Sequence, residues 1–399
     1  MKYETQVALA RRFLHHIEHK TTDMLPRVSY NTRTAYTCTN HFDQEKALLF
    51  RKYPLLSGLS CQIPSPGDFI TEEYAGMPIL LTRGNDGQVR AFMNVCRHRG
   101  AQVEMAESGC GRQRFTCPYH AWSYNLDGKL VGLPDAATFG EIDRGAFNLV
   151  PVPVQERHGM IFVLHDTRGA PFDVDALLGS ELSAELATYQ LKNWHHYETR
   201  RLEYTMNWKG VIDTFLEIYH VGKLHRTTIA PIFFDNLMAF DPFGQHLRMS
   251  IARRSLETVR GRETETPDLL AHMAHVYILF PNGVLVRQGE QVETWRVYPG
   301  PTPDTSRMVI SMFIPKPAET DSAKRHWGKN MDLLLQTVLK EDFPVGTTIQ
   351  SNFHTDAQAH VVYGRNEPAI AYFHQMLREA MGVPEPMPEA MRSPQVAAA

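Results

Sequence analysis

The chain has 399 residues, of which 43% are hydrophobic and 21% charged, with 41 lysines and arginines against 44 acidic residues. This length predicts two domains, and the composition is that of a soluble globular protein. A formal net charge of -3 leaves no basic surplus for binding nucleic acid, and no apolar run reaches the roughly 20 residues that would span a membrane.

The N-terminal region is predicted to be helical and not to be a secretory signal. Apolar residues recur at helical spacing over residues 5–19, and Asp43–Tyr53 is predicted to form a second short helix that Pro54 ends. The first 20 residues contain several charged side chains and no continuous apolar centre. We therefore expect a cytoplasmic protein.

The next part of the chain consists of short β-type segments separated by turn signals. It extends from Ser57 to about Asp166. The turn sequences at 85–87 and 125–128 are typical of β-hairpins. This part is therefore predicted to form a small all-β domain.

The second half of the chain combines predicted strands with long helices. His196–Met206 is predicted to be a strand, and Asn207 is predicted to cap the helix that follows. Further strands precede helices over 322–350 and 368–381, which predicts an α+β protein. We expect a helical segment that packs on the second domain (1–42), the all-β domain (43–168), the second domain (169–384) and a disordered tail (385–399).

Two short loops, Cys96-Arg97-His98 and Cys117-Pro118-Tyr119-His120, each offer one thiolate and one imidazole. Zinc could bind such a set, but zinc fingers of this composition usually keep their cysteines together and their histidines together. Mixed loops suit a two-iron, two-sulfide cluster in which one iron takes both cysteines and the other both histidines. The total of five cysteines is odd, which argues against a disulfide framework. The others are predicted to be packing residues: Cys38, Cys61 and Cys110.

A second group of metal-binding side chains lies on the helix predicted after Asn207. Asp213, Glu217 and His220 are spaced i, i+4 and i+7, so a regular helix places them on one face. His225 follows five residues later and could share a metal with His220 if the helix loosens, which Gly222 permits. The alternative interpretation is that both histidines are ordinary packing or surface residues.

The two loops resemble the Rieske signature of the ring-hydroxylating, or Rieske non-haem iron, oxygenases. The likeness includes Arg99-Gly100 after the first loop and Trp122 after the second, while Ala121 stands where the family usually has glycine. The stretch from Asn207 to His225 is similar to the family motif that holds the catalytic iron. The resemblance implies an all-β Rieske domain followed by a helix-grip, START-like catalytic domain with an antiparallel sheet.

The resemblance also implies which residues hold metal. The implied cluster ligands are Cys96, His98, Cys117 and His120. The implied ligands of the mononuclear iron are His220, His225 and Asp342, with Glu341 as the alternative third ligand. Glu217 occupies the position of the family acid that links the two metal centres across a subunit boundary, and Asp213 is a further candidate on the same helix. Thr214 replaces an asparagine that is common in the motif.

The resemblance implies a terminal oxygenase that takes electrons at a [2Fe-2S] cluster and activates O2 at a mononuclear Fe(II). No dinucleotide fingerprint is found, so NAD(P)H would be oxidised by a separate flavin reductase, directly or through a ferredoxin. We expect a homotrimer, or a trimer with a beta subunit. The expected substrate is an aromatic molecule, and the alternative is a quaternary amine or a methyl ether. A Rieske electron carrier and a zinc-stabilised binding protein are the other hypotheses.

The substrate pocket is the least specified part of the sequence. Ile229–Phe243 is rich in bulky apolar residues and follows the metal motif, so it is a candidate pocket wall as well as a candidate core segment. Arg287 and Arg248 are candidates for pairing with a substrate carboxylate.

Overall fold

The computed structural model describes residues 1–74 and 76–386 and forms two compact units. One unit contains Met1–Leu49 and the chain from Tyr197 onward, and the other is Phe50–His196. The predicted boundary between residues 168 and 169 lies inside the Phe50–His196 unit. The predicted disordered tail falls outside the described residues from 387 onward. None of the described helices is long and apolar enough to cross a membrane.

The Phe50–His196 unit contains three small antiparallel sheets, in agreement with the small all-β domain that the sequence predicts. The first sheet contains, in spatial order, Pro151–Val152, Val89–Met93, Met77–Arg83, Phe69–Tyr74 and Ser108–Gly109. The second contains Val154–Arg157, Met160–Leu164 and Pro54–Leu59. The third contains Arg114–Thr116, Ser123–Asn125 and Leu130–Gly132. The helices and helical turns of this unit are Ser60–Gln62, Ala136–Phe139, Arg144–Phe147, Val174–Ala187 and Leu191–Asn193.

The other unit is organised around one antiparallel sheet of seven strands. In spatial order these are His195–Tyr204, Ser306–Ile314, Gln291–Pro299, Gly283–Gln288, Met273–Leu279, His246–Arg253 and Phe233–Phe243. A separate two-stranded ribbon pairs Ser29–Thr32 with His360–Tyr363. The α-helices are Tyr3–His19, Thr34–Thr37, Thr39–Glu45, Trp208–Asp213, Val221–Leu224, Asp321–Thr337, Phe343–Asn352 and Pro368–Met381. Single turns of π-helix cover Lys46–Phe50 and Val338–Asp342, and short 3-10 turns cover Arg254–Val259 and Leu270–His272. The predicted α+β class is confirmed.

The prediction that one regular helix carries Asp213, Glu217 and His220 on the same face is wrong. It ends at Asp213, where the Thr214 hydroxyl donates to the carbonyl of Val211 at 2.8 Å. The chain then turns, and the Glu217 carboxylate accepts the backbone N–H groups of Tyr219 and His220 at 2.6 and 3.2 Å. Short-range side-chain bonds therefore replace the regular helix, because they satisfy the backbone groups that the helix would otherwise pair.

The first turn of that helix is held by a buried ion pair. Lys209 and Glu45 are each 1% exposed, and the Lys209 ammonium donates to the Glu45 carboxylate at 2.5 Å. The indole of Trp208 donates to the other carboxylate oxygen at 2.8 Å. Burial alone would raise the pKa of Glu45, but the charge of Lys209 holds it below its ordinary value. The pair fixes the point from which the metal-binding segment starts.

Glu45→Ala is expected to lower the free energy of unfolding by about 3–5 kcal/mol, because it leaves the Lys209 ammonium buried without a counter-charge. Denaturant unfolding of the purified variant measures this loss. The double variant Glu45→Ala/Lys209→Met is expected to lose less stability than Glu45→Ala alone. Equal stability of Glu45→Ala and the unmodified protein would contradict the assignment.

Candidate metal centres

The two cysteine-histidine loops have matching backbone structures. In the first, Gly100 N donates to Cys96 O and Cys96 N donates to Ala101 O, at 3.0 and 2.7 Å. The second repeats this pattern, with bonds of 3.0 and 2.8 Å from Ala121 N to Cys117 O and from Cys117 N to Trp122 O. The fifth residue of each loop has a positive φ, 81° at Gly100 and 58° at Ala121. The two loops therefore hold their cysteine side chains, Cys96 and Cys117, on matching backbone turns.

The loops segregate sulfur from nitrogen. Cys96 and Cys117 are buried in the same core cluster, whereas the Nδ1 atoms of His98 and His120 lie 3.2 Å apart. Burial raises the pKa of the Cys117 thiol, and the neighbouring Cys96 raises it further. The ring of Trp122 stacks on His98 with centroids 4.9 Å apart. Two thiols on one side and two imidazole nitrogens on the other fit the ligand set of a [2Fe-2S] cluster with cysteine on one iron and histidine on the other.

Ala121→Gly is expected to stabilise the second loop by about 0.5–1 kcal/mol, because glycine has a positive φ without steric cost. Thermal unfolding of the anaerobically purified protein measures the effect, and the visible spectrum should not change. Gly100→Ala, at the equivalent position of the first loop, is the matched control and is expected to destabilise. A lower melting temperature for Ala121→Gly would contradict this account.

Three of the predicted ligands of the mononuclear metal converge in the other unit. The ligand atoms of His220, His225 and Asp342 all lie within 4.8 Å of one another. Asp342 Oδ1 is 2.9 Å from His225 Nε2 and 3.5 Å from His220 Nε2, and the two Nε2 atoms are 3.2 Å apart. Two imidazoles and one carboxylate are the donors of a facial triad, which leaves the remaining positions of an iron open. The donor set therefore fits Fe(II).

Each histidine is oriented by a second acid on its other nitrogen. His220 Nδ1 bonds to the carboxylate of Glu217, and His225 Nδ1 lies 2.5 Å from Glu341 Oε2. Burial lowers the pKa of His225, but Asp342 and Glu341 outweigh this effect and raise it overall. An Nδ1–H donated to a carboxylate leaves Nε2 free as the metal ligand. This geometry favours Asp342 over Glu341 as the third ligand, because Glu341 approaches the far side of the imidazole.

Asp342 is positioned by an interruption in a long helical stretch. Asp321–Thr337 and Phe343–Asn352 are α-helical, and the π-helical turn Val338–Asp342 lies between them. Such a turn shifts the register of the side chains that follow and is frequent at functional sites. Glu341 and Asp342 then face His225 from opposite ring nitrogens. The predicted long helix is confirmed, but the sequence did not predict this turn.

Asp213 lies apart from this group. Its carboxylate accepts a hydrogen bond from the hydroxyl of buried Tyr36 at 2.7 Å and bonds to His374 Nε2 at 2.8 Å. The Tyr36 hydroxyl is also 3.0 Å from that of Tyr363. A cavity of about 290 Å³ is lined by Asp213, Glu217 and His220. The structure thus places Asp213 near the metal ligands but not in contact with them.

A larger cavity of about 470 Å³ opens beside the metal ligands and is the candidate substrate pocket. Its lining includes His220, His225, Asp342, three aromatic side chains (Phe215, Phe233 and Trp327) and apolar strand residues such as Met249, Val276 and Val286. Its volume is within the range of small-molecule sites.

Only part of the predicted pocket wall lines this cavity. Ile229, Ile232 and Phe233 do so, whereas most of Ile229–Phe243 belongs to the edge strand of the sheet. Neither predicted arginine reaches the cavity, because Arg248 pairs with Asp241 at 2.9 Å and Arg287 donates to backbone carbonyls of its own hairpin. The charged strand residues that do line it, Arg253 and Glu293, were missed. Glu293 lies on the same inward face as Gln291, and polar residues on an inward strand face are the signal that could have found it.

Comparison with protein families gives two matches. Residues 55–153 match the Rieske [2Fe-2S] domain, and residues 191–383 match the catalytic domain of the ring-hydroxylating alpha subunit. The chain belongs to the Rieske ring-hydroxylating oxygenases. A [2Fe-2S] cluster and a mononuclear iron are the cofactors that these two domains imply.

This Rieske oxygenase chain is similar in sequence to the oxygenase subunits of two monooxygenases. It is 35% identical over 192 residues to the carnitine monooxygenase oxygenase subunit of Escherichia coli K12, and this match covers 48% of this chain and 50% of that protein. It is 34% identical over 186 residues to the glycine betaine monooxygenase oxygenase subunit of Pseudomonas aeruginosa PAO1, and this match covers 46% of this chain and 42% of that protein. The matched segment spans about half the length of these relatives.

The fold resembles a solved quaternary ammonium Rieske monooxygenase in complex with L-carnitine. The TM-score is 0.75 at 20% sequence identity, and the match covers 90% of this chain and 96% of that chain. The likeness establishes the architecture of the Rieske oxygenase alpha subunits for this chain. The expected fold of an all-β Rieske domain and a sheet-based catalytic domain is thereby confirmed.

Proposed function

We propose that this chain is the terminal oxygenase component of a multicomponent Rieske monooxygenase that oxidises a quaternary amine. The observation that carries the proposal is the 470 Å³ cavity, which joins the His220, His225 and Asp342 group to a buried acid and aromatic rings. Aromatic faces and a carboxylate are the groups that attract a methylated ammonium. This favours the alternative substrate class over the aromatic molecule that was the main expectation.

Glu293 is the buried acid of this cavity. It is 1% exposed, and its carboxylate accepts hydrogen bonds from the side-chain amides of Gln288 and Gln291 at 2.8 and 2.5 Å. Burial raises the pKa of Glu293, although the two amides act in the opposite direction. A bound cation would favour the charged carboxylate, since opposite charges stabilise each other strongly at a buried site. An uncharged aromatic ring would leave this acid without a role in binding.

The reaction proposed is hydroxylation of a carbon next to the quaternary nitrogen. One oxygen atom of O2 enters that C–H bond, and the other leaves as water with two electrons and two protons. The hydroxylated product then breaks its C–N bond to give a tertiary amine, an aldehyde and a proton. The electrons come from NAD(P)H through a separate reductase, and the two metals supply the redox chemistry.

The proposed roles of the residues follow from the contacts described above. Cys96, Cys117, His98 and His120 hold the cluster, and His220, His225 and Asp342 hold the iron. Glu217 orients His220 and is the proposed entry point for electrons, in line with the family resemblance. The resemblance also leads us to propose a homotrimer in which the cluster of one subunit serves the iron of the next.

A substrate screen with a surrogate reductase tests the proposed function. The panel contains aromatic acids, polycyclic hydrocarbons and quaternary amines, and the products are followed by mass. The expected result is O2-dependent loss of an alkyl group from a quaternary amine. Hydroxylation of an aromatic compound, with no amine turned over, would overturn the proposal.

A further inference from the structure

Arg253 is a cation that lines the cavity and forms no ion pair within the described part of the chain. It is the last residue of the strand His246–Arg253 and is partly buried, with its guanidinium 5.3 Å from the centre of the Phe233 ring. Its Nε is buried without a hydrogen-bond partner, and no carboxylate of the described residues pairs with it. Arg248 of the same strand, by contrast, is paired with Asp241 at 2.9 Å.

A partly buried guanidinium without a partner is unfavourable, because it has lost water without gaining an opposite charge. Burial lowers the pKa of Arg253, and the positive charge of Arg287 nearby lowers it further. An arginine nevertheless stays protonated at neutral pH. Glu290, an exposed acid that also lines the cavity, forms no ion pair with it. A ligand anion would relieve both the desolvation and the repulsion.

Arg253 and Glu293 lie on the same face of the sheet at different depths. Met249, Val276, Val286 and Glu293 are paired across four adjacent strands, and all of them line the cavity. Arg253 lies four residues beyond Met249 on its strand, and side chains with this even spacing share a face. The two backbone positions are separated by about 13 Å along the strand direction and by about 14 Å across three strand spacings. The Arg253 side chain shortens this distance, because its guanidinium reaches Gly289, in the turn before the strand that carries Glu293. Because both side chains are long, their charged ends are well placed to bind the two ends of one short molecule.

We propose that Arg253 binds a carboxylate of the substrate, so that this enzyme selects a zwitterionic quaternary amine over a simple cation. The inference rests on the proposed function and extends it, because it specifies the second charged group of the substrate. A guanidinium can bind a carboxylate through two parallel hydrogen bonds, which also fixes the orientation of the molecule. The quaternary nitrogen would then point toward Glu293 and the ring of Phe215, since the guanidinium of Arg253 already lies over the Phe233 ring.

The test compares two ligands that differ only in the carboxylate, 4-(trimethylammonio)butanoate and butyltrimethylammonium. Binding to the anaerobic, iron-loaded protein is measured by calorimetry, and KM is measured with a surrogate reductase. Arg253→Met is expected to weaken binding of the zwitterion by about 10–100-fold, the effect of losing a charged hydrogen bond. Binding of butyltrimethylammonium is expected to change less than about twofold, and Arg253→Lys is expected to bind the zwitterion better than Arg253→Met.

Arg254→Met is the matched control, because this neighbouring arginine is exposed and does not line the cavity. It removes the same charge and should leave both affinities unchanged. Equal weakening of both ligands by Arg253→Met, or no weakening of the zwitterion, would overturn the inference. If the unmodified protein binds and oxidises both ligands equally well, only the inference fails. If it oxidises neither but hydroxylates an aromatic acid, the proposed function fails with it.

Discussion

Asp342→Ala is expected to remove the mononuclear iron and abolish turnover while leaving the cluster intact. Asp342 supplies the only carboxylate oxygen among the described residues that faces the Nε2 atoms of both His220 and His225, at 3.5 and 2.9 Å. Two imidazoles alone do not complete a facial triad. Iron analysis of the anaerobically purified variant should give about two irons per chain instead of about three, with an unchanged visible Rieske spectrum.

Glu341→Gln is the control that distinguishes an iron ligand from an acid that orients a ligand histidine. Glu341 contacts His225 Nδ1 at 2.5 Å and accepts a hydrogen bond from Thr228 at 2.8 Å. Replacing such a supporting acid typically lowers metal affinity or activity by about 10–100-fold. We therefore expect Glu341→Gln to bind iron weakly and Asp342→Ala not to bind it. The reverse order would make Glu341 the third ligand.

Glu217→Gln is expected to slow electron transfer from the reduced cluster to the iron, measured in protein that has been reloaded with Fe(II) to full iron content. The Glu217 carboxylate bonds to Nδ1 of His220 and also caps the backbone of Tyr219 and His220. An amide keeps the shape but loses the negative charge that stabilises and orients the imidazole. We expect single-turnover reoxidation of the reduced cluster to slow on the order of 10–100-fold.

Asp213→Asn provides the comparison for Glu217→Gln. The Asp213 carboxylate contacts Tyr36 and His374 and does not contact His220. Its replacement is expected to slow reoxidation of the cluster less than Glu217→Gln does. Unchanged single-turnover kinetics in Glu217→Gln, with full iron content, would remove Glu217 from the electron path.

The sequence predicted those features that depend on local spacing. The two cysteine-histidine loops could be found because each ligand pair lies within four residues, and the helix Pro368–Met381 has clear signals at both ends. The break after Asp213 could not be predicted from apolar periodicity, since side-chain bonds from Thr214 and Glu217 replace the helical ones. Local helix propensity did not indicate that these side-chain bonds would form in place of the helical backbone bonds.

Arg253 and Glu293 show why the substrate site was the hardest part to predict. An arginine in a sequence can be a surface residue, an ion-paired residue or a ligand-binding residue, and tertiary neighbours decide among these. Arg248 and Arg253 lie in one strand, yet among the described residues Arg248 forms an ion pair, with Asp241, and Arg253 forms none. Whether a charge is paired depends on the strands beside it, and periodicity does not encode that information.

Oxygen-18 labelling tests the central claim most directly. The anaerobic protein is reduced, given 4-(trimethylammonio)butanoate and mixed with ¹⁸O2, and the aldehyde formed is trapped at once by borohydride reduction to limit exchange with water. We expect either 4-(dimethylamino)butanoate with methanol or trimethylamine with 4-hydroxybutanoate, in each case with one ¹⁸O atom in the new alcohol, and neither pair of products from Asp342→Ala. Reoxidation of the cluster by O2 without any labelled product, in protein that contains its full complement of iron, would contradict it.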